Sequence, residues 1–102
     1  MIANLIEEGK NLESEAKESG FGVSKFFDSV SFEKWVAKSI LYLETYQSKS
    51  IITEKAKSQY KTLNNNTNYS YYKFLLGSLE ASKEVEDYKK ELEEKQADEF
   101  TF

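Results

Sequence analysis

Between Glu80 and Glu99 the chain carries nine carboxylates and four lysines, a net charge of −5 on one short stretch. Everything else together holds nine acids and ten lysines, a net of +1. Paired carboxylates can divide acid and base work, but only where burial pushes their pKa values apart. On an exposed helix that tuning is missing. Two other uses remain. Glu86 with Lys90, and Glu91 with Lys95, have the four-residue spacing that stabilises a solvated helix. The same carboxylates can face a basic partner, or stand in for nucleic-acid phosphates.

The residue types that are absent narrow the chemistry further. All 14 basic residues are Lys, and there is no His, Cys or Pro. Serines therefore have no imidazole base, and no zinc or iron–sulfur ligand set exists. The planar fork that grips phosphate bidentately is also missing. Gly20-Phe21-Gly22 is too short for a phosphate loop, and no strand is expected before it. Lys55, Lys57 and Lys61 could touch DNA, but with a pI of about 4.9 the chain lacks the usual basic character of a nucleic-acid binder. These observations point away from an enzyme, a metal or a cofactor.

Seven tyrosines form the second chemical group: Tyr42, Tyr46, Tyr60, Tyr69, Tyr71, Tyr72 and Tyr88. Tyrosine brings large contact area at small entropic cost and is enriched at interface hot spots. It also builds cores whose hydroxyls reach the rim. Tyr69, Tyr71 and Tyr72 cannot all face inward from one helix, so at least one is expected at the surface.

The elements that position these groups follow from periodicity. A chain of 102 residues with 39% apolar content makes one domain with a modest core. Ile2, Leu5, Ile6, Gly9, Leu12 and Ala16 recur at spacings of three and four, predicting an amphipathic helix from Ile2 to about Ser19. Gly20 would end it with a left-handed turn. The stretch Ser19–Ser31 reads as a packed loop with a helical turn near Ser24–Asp28, and a hairpin as the competing reading. Ser31 is the expected cap of a central helix whose face holds Phe32, Trp35, Val36, Ser39, Ile40, Leu43 and Tyr46. A further helix covers about Ser50 to Leu63, with Ile52, Ala56, Tyr60 and Leu63 in one stripe. Asn64–Asn68 reads as a loop. The last helix is expected from Tyr69 to about Gln96. Its seam runs through Tyr71, Phe74, Ser78, Ala81, Val85, Tyr88, Leu92 and Lys95 in a three-four repeat. Residues 98–102 read as a flexible tail after a single helical domain, 1–97.

"FEKWVAKSILYLETY", Phe32 to Tyr46, and "SYYKFLLGSLEASKE", Ser70 to Glu84, resemble elements of small helical modules in bacterial antiviral defence proteins and related prophage proteins. Phe32 and Trp35 match a Phe-x-x-Trp helix opening, and Tyr71 and Phe74 sit near the second element. The resemblance covers about a third of the chain and implies association with other parts of a system. This chain is expected to depart from those modules in standing without an effector domain. Its small, acidic, lysine-rich composition is similar to that of anti-CRISPR proteins.

The sequence therefore predicts an all-α protein, a small bundle of four to five helices with a long acidic C-terminal helix. No secretion signal or membrane span is expected, and the expected location is the cytoplasm. The expected function is non-catalytic binding of a protein partner, as a phage or mobile-element inhibitor of a nucleic-acid-targeting defence. Glu84, Glu86, Asp87, Glu91, Glu93 and Glu94 would contact a basic surface of a host effector, with Tyr69, Tyr72 and Tyr88 as anchors. The alternatives are a helical module that self-associates as a homodimer through Val85, Tyr88 and Leu92, and a small DNA-binding regulator.

Overall fold

A computed structural model describes residues 1–20 and 24–100. Four helices carry most of the chain: α1 (Ile2–Leu12), α2 (Val30–Tyr46), α3 (Ile51–Tyr60) and α4 (Asn68–Phe100). A short antiparallel pair, β1 (Lys17–Ser19) and β2 (Ser24–Phe26), joins α1 to α2. The chain is thus mainly helical, and the hairpin replaces the packed loop expected there. Phe21, Gly22 and Val23 of that stretch lie outside the described residues, as do Thr101 and Phe102 at the end of the expected tail.

Leu5, Ile6, Gly9 and Leu12 are buried on α1, as their spacing demands. The helix is shorter than its pattern suggested. Ser14 Oγ donates to the Asn11 carbonyl, and Glu13–Glu15 tighten into a 3-10 turn. Ala16 is then extended, and Lys17 pairs with Phe26, Glu18 with Lys25 and Ser19 with Ser24. Opposite charges across the Glu18–Lys25 position favour this register. Gly20 does adopt a left-handed φ of 57°, but in the hairpin and not at a helix end.

The cap of α2 is Ser29, not Ser31: Ser29 Oγ accepts the Phe32 N–H at 3.2 Å. On α3 the cap is Ser50, whose Oγ accepts the Ile52 N–H at 3.1 Å. Tyr60 leaves the expected α3 stripe and is exposed, because the helix ends there. Tyr46 is likewise exposed, while Tyr42 takes a buried place on α2. The loop expected over Asn64–Asn68 is one residue shorter, with Asn64 Oδ1 accepting the Asn66 N–H. Asn68 belongs to α4.

Both α1 and α3 pack against α2 and α4. Glu13 meets Tyr69 and Gly9 meets Tyr72, so α1 runs opposite to α4. Thr53 meets Gln47 and Ala56 meets Tyr71, so α3 runs opposite to both long helices. Three buried aromatic groups stitch these contacts to backbone carbonyls. Trp35 Nε1–H donates to Leu5 O at 2.8 Å, Tyr72 Oη–H to Gly9 O at 2.6 Å, and Tyr71 Oη–H to Ala56 O at 2.7 Å. Phe27 closes one end of the core, stacked on Phe32 at 4.5 Å and tilted on Tyr72 at 4.9 Å.

Gly9 lets α1 approach this closely. A Cβ built there lies 2.7 Å from Trp35 Cζ2 and 2.9 Å from Leu76 Cδ1. Alanine gains about 1 kcal/mol of helix propensity over glycine, but overpacking a buried contact costs about 1–3 kcal/mol. Gly9→Ala is therefore expected to lower the melting temperature, read by circular dichroism. Gly77→Ala, with nothing within 4 Å of its Cβ, is the control and should not lower it.

Candidate functional site

α4 divides into two parts. Tyr71, Tyr72, Leu75, Ser78, Leu79 and Ser82 are buried in the body. Glu86 is half-buried, accepting the Tyr42 hydroxyl at 3.1 Å. From Asp87 to Glu94 every side chain is exposed. At about 1.5 Å per residue, the stretch from Lys83 to Phe100 is roughly 27 Å of helix.

The carboxylates singled out from the sequence fall into different settings. Glu84, Glu91, Glu93 and Glu94 are exposed. Asp87 is exposed but pairs with Lys83 at 2.8 Å, which holds its carboxyl below the usual range. Glu86 is partly spent on Tyr42. The tyrosines also separate. Tyr88 is 61% exposed. Tyr69 is half-buried, donating to Glu13 at 2.6 Å with the ammonium groups of Lys25 and Lys73 over its ring. Tyr72 is the correction: it is 3% exposed and offers no area to a partner. Its hydroxyl reaches the Gly9 carbonyl near the end of α1, so the whole ring can enter the core without an unpaired polar atom.

Beside the acids lies a feature of different chemistry. Val85 is 53% exposed and Leu92 41%, and with Tyr88 they make an apolar stripe on the part of α4 that leaves the body. The spacing of three and four already marked these positions; their lack of cover is what the fold adds.

Of the lysines considered for DNA, Lys57 bonds Glu44 at 3.2 Å and Lys55 lies over the Phe74 ring. Lys61 lines an open cleft of about 780 Å³ together with Asp28, Glu33, Tyr60 and Asn64. With two anions and one cation the cleft is net negative, which does not suit nucleic-acid phosphates. Among the described residues no group of three His, Cys, Asp or Glu could hold a metal ion, and no helix is long and apolar enough to cross a membrane.

Burial, with the neighbouring Glu86, pushes the Tyr42 hydroxyl up to about 12. Its bond to Glu13, then burial, does the same for Tyr69, and burial does so for Tyr71. Their folded pKa values exceed the unfolded value near 10. The stability they confer is therefore complete below pH about 10 and is lost as pH rises from about 10 to about 12. Tyrosinate absorbance of the folded protein should show a late-titrating class that moves to about 10 in denaturant. A single folded-state transition near 10 would contradict this packing.

Comparison with protein-family models, with characterised proteins and with solved structures finds no match to this chain, so the physical character of its surface carries the functional reading.

Proposed function

We propose that this chain is a non-catalytic, protein-binding inhibitor. The expected target is a nucleic-acid-targeting defence effector of bacteria, bound in the manner of an anti-CRISPR protein. The acidic part of α4 is the contact surface, and it occupies a lysine- and arginine-rich channel that otherwise holds nucleic acid. One observation carries the reading: Asp87 to Glu94 stand clear of the body as helix, with Glu91, Glu93 and Glu94 solvent-facing. A preformed helix presents these charges without first paying the entropy of ordering a disordered acidic tail. The charge imbalance between this stretch and the rest of the chain directs encounter to one element.

The test is a pull-down from a bacterial lysate. The wild type is compared with a variant carrying Glu86→Lys, Asp87→Lys, Glu91→Lys and Glu94→Lys. A nucleic-acid-handling protein captured by the wild type only is the expected result. That complex should weaken steeply as salt rises from about 0.15 to about 1 M, because the screening length falls from about 8 to about 3 Å. Equal capture by both proteins, or affinity indifferent to salt, removes the electrostatic basis of the proposal.

A further inference from the structure

We infer that the cleft between the end of α3 and the start of α4 binds a small carboxylic acid with an aromatic or aliphatic body. The site lies at the other end of α4 from Asp87–Glu94, and it does not depend on the partner proposed above.

Because α3 and α4 run in opposite directions, Lys55 and Gln59 of α3 look across at Ser70, Tyr71 and Phe74 of α4. Toward the connecting loop the lining residues are short, Thr62 and Thr67, and Ser70 beside them is shorter still. They leave a space of about 380 Å³ between the helices. That falls near the lower end of the roughly 300–1,000 Å³ of small-molecule sites. The floor is carbon. Leu63 and Phe74 are half-buried, and Tyr71 is 2% exposed. The Tyr71 hydroxyl is spent on the Ala56 carbonyl, so only its ring is left to offer.

Charge selects the ligand. Among the described residues that line the cleft, Lys55 alone is charged. Its ammonium lies 4.6 Å from the centroid of the Phe74 ring, at the edge of the apolar floor, and no described carboxylate pairs with it. Glu54 is its neighbour in sequence but falls about 100° round α3. From Lys55 to Leu79 the chain has four lysines and no acid, so nothing along either wall opposes an anion. The Ser70 hydroxyl is exposed and has no partner among the described residues, which adds a neutral donor to the same cleft. A carboxylate beside Lys55 gains a charge-assisted hydrogen bond while its apolar body covers Leu63 and Phe74. An amine meets repulsion from Lys55, and a neutral molecule leaves that charge unanswered. The larger cleft beside Lys61 is bordered by Asp28 and Glu33 and disfavours the same ligand.

The probe is phenylacetate, titrated into the full chain and followed by amide NMR. Phenylethanol and phenylethylamine keep the ring and change the head group, and acetate keeps the head group without the ring. Saturable shifts are expected at Lys55, Leu63, Ser70 and Phe74. Phenylacetate should bind about tenfold or more tightly than the alcohol, and neither the amine nor acetate should saturate. Lys55→Gln should bring the acid down to the level of the alcohol, while Lys55→Arg keeps the preference. Lys57→Gln, which breaks only the pair with Glu44, should leave it unchanged. Ser70→Phe puts a ring into the cleft and should block acid and alcohol alike, with unchanged circular dichroism showing that the fold survives. Equal binding of acid and alcohol to the wild type, or no effect of Lys55→Gln, overturns the inference. So does acetate matching phenylacetate, since surface charge alone then holds the anion. Shifts confined to residues outside the cleft, or shifts that never saturate, overturn it as well.

Discussion

Trp35→Ala is expected to lower the unfolding free energy by about 3–5 kcal/mol, the range for truncating a large buried aromatic. Trp35 is 1% exposed and touches α1 and α4 from α2. Its loss opens a cavity that Gly9 cannot fill. For a domain whose whole stability is about 5–15 kcal/mol, this is a large share. Urea denaturation should show a lower midpoint at unchanged slope. Trp35→Phe separates packing from hydrogen bonding. It keeps much of the ring but loses the Nε1–H donor to the Leu5 carbonyl. The net value of such a bond is about 0.5–1.5 kcal/mol, so the milder variant should fall well short of alanine. Equal costs for the two would mean that the bond, not the ring, holds α1 in place.

Where periodicity was strong, the sequence alone located the elements and their inward faces. Leu5, Ile6 and Leu12 on α1, and Phe32, Trp35, Val36 and Leu43 on α2, are buried as their spacing required. The failures have specific causes. Lys17, Glu18 and Ser19 have no alternating apolar pattern, so nothing local marked a strand; the hairpin is held by Phe27 packing onto the core. Ala16 extended the α1 rhythm past the true end, since a helix pattern does not register a Ser14 side chain taking a carbonyl. Ser29 and Ser31 are both good caps by type, and only the position of Phe32 in the core decides between them. At the candidate site, the acidic face and the apolar seam were legible as residue types. Which tyrosines stay outside was not. That outcome depends on whether a carbonyl waits at the hydroxyl's depth, as Gly9 does for Tyr72 and Ala56 for Tyr71.

Asn68 shows the same limit most sharply, and its substitution has the second large effect. In sequence it is the last asparagine of a polar loop and opens an Asn-x-Ser pattern. In the fold it is 5% exposed and clamps the backbone of a residue 41 positions away. Its Oδ1 accepts the Phe27 N–H at 2.9 Å, and its Nδ2 donates to the Phe27 carbonyl at 2.9 Å. Asn68→Ala leaves both backbone groups buried and unpaired. At about 1–3 kcal/mol each, the expected loss is about 2–6 kcal/mol. Asn68→Asp tests the geometry. The new carboxylate still accepts from Phe27 N–H and gains from the α4 N-terminus, but its other oxygen faces the Phe27 carbonyl and repels it. That repulsion raises the carboxyl's folded pKa above its unfolded value near 4. The penalty is therefore full well above the folded pKa and shrinks as pH falls through it, because the protonated acid becomes a donor again. Urea midpoints of Asn68→Asp should approach wild type on going from pH about 7 to about 4, while Asn68→Ala stays low at both. If Asn68→Ala costs no more than the roughly 0.5 kcal/mol of an ordinary surface change, the hairpin is held by the Phe27 ring alone and the amide clamp is incidental.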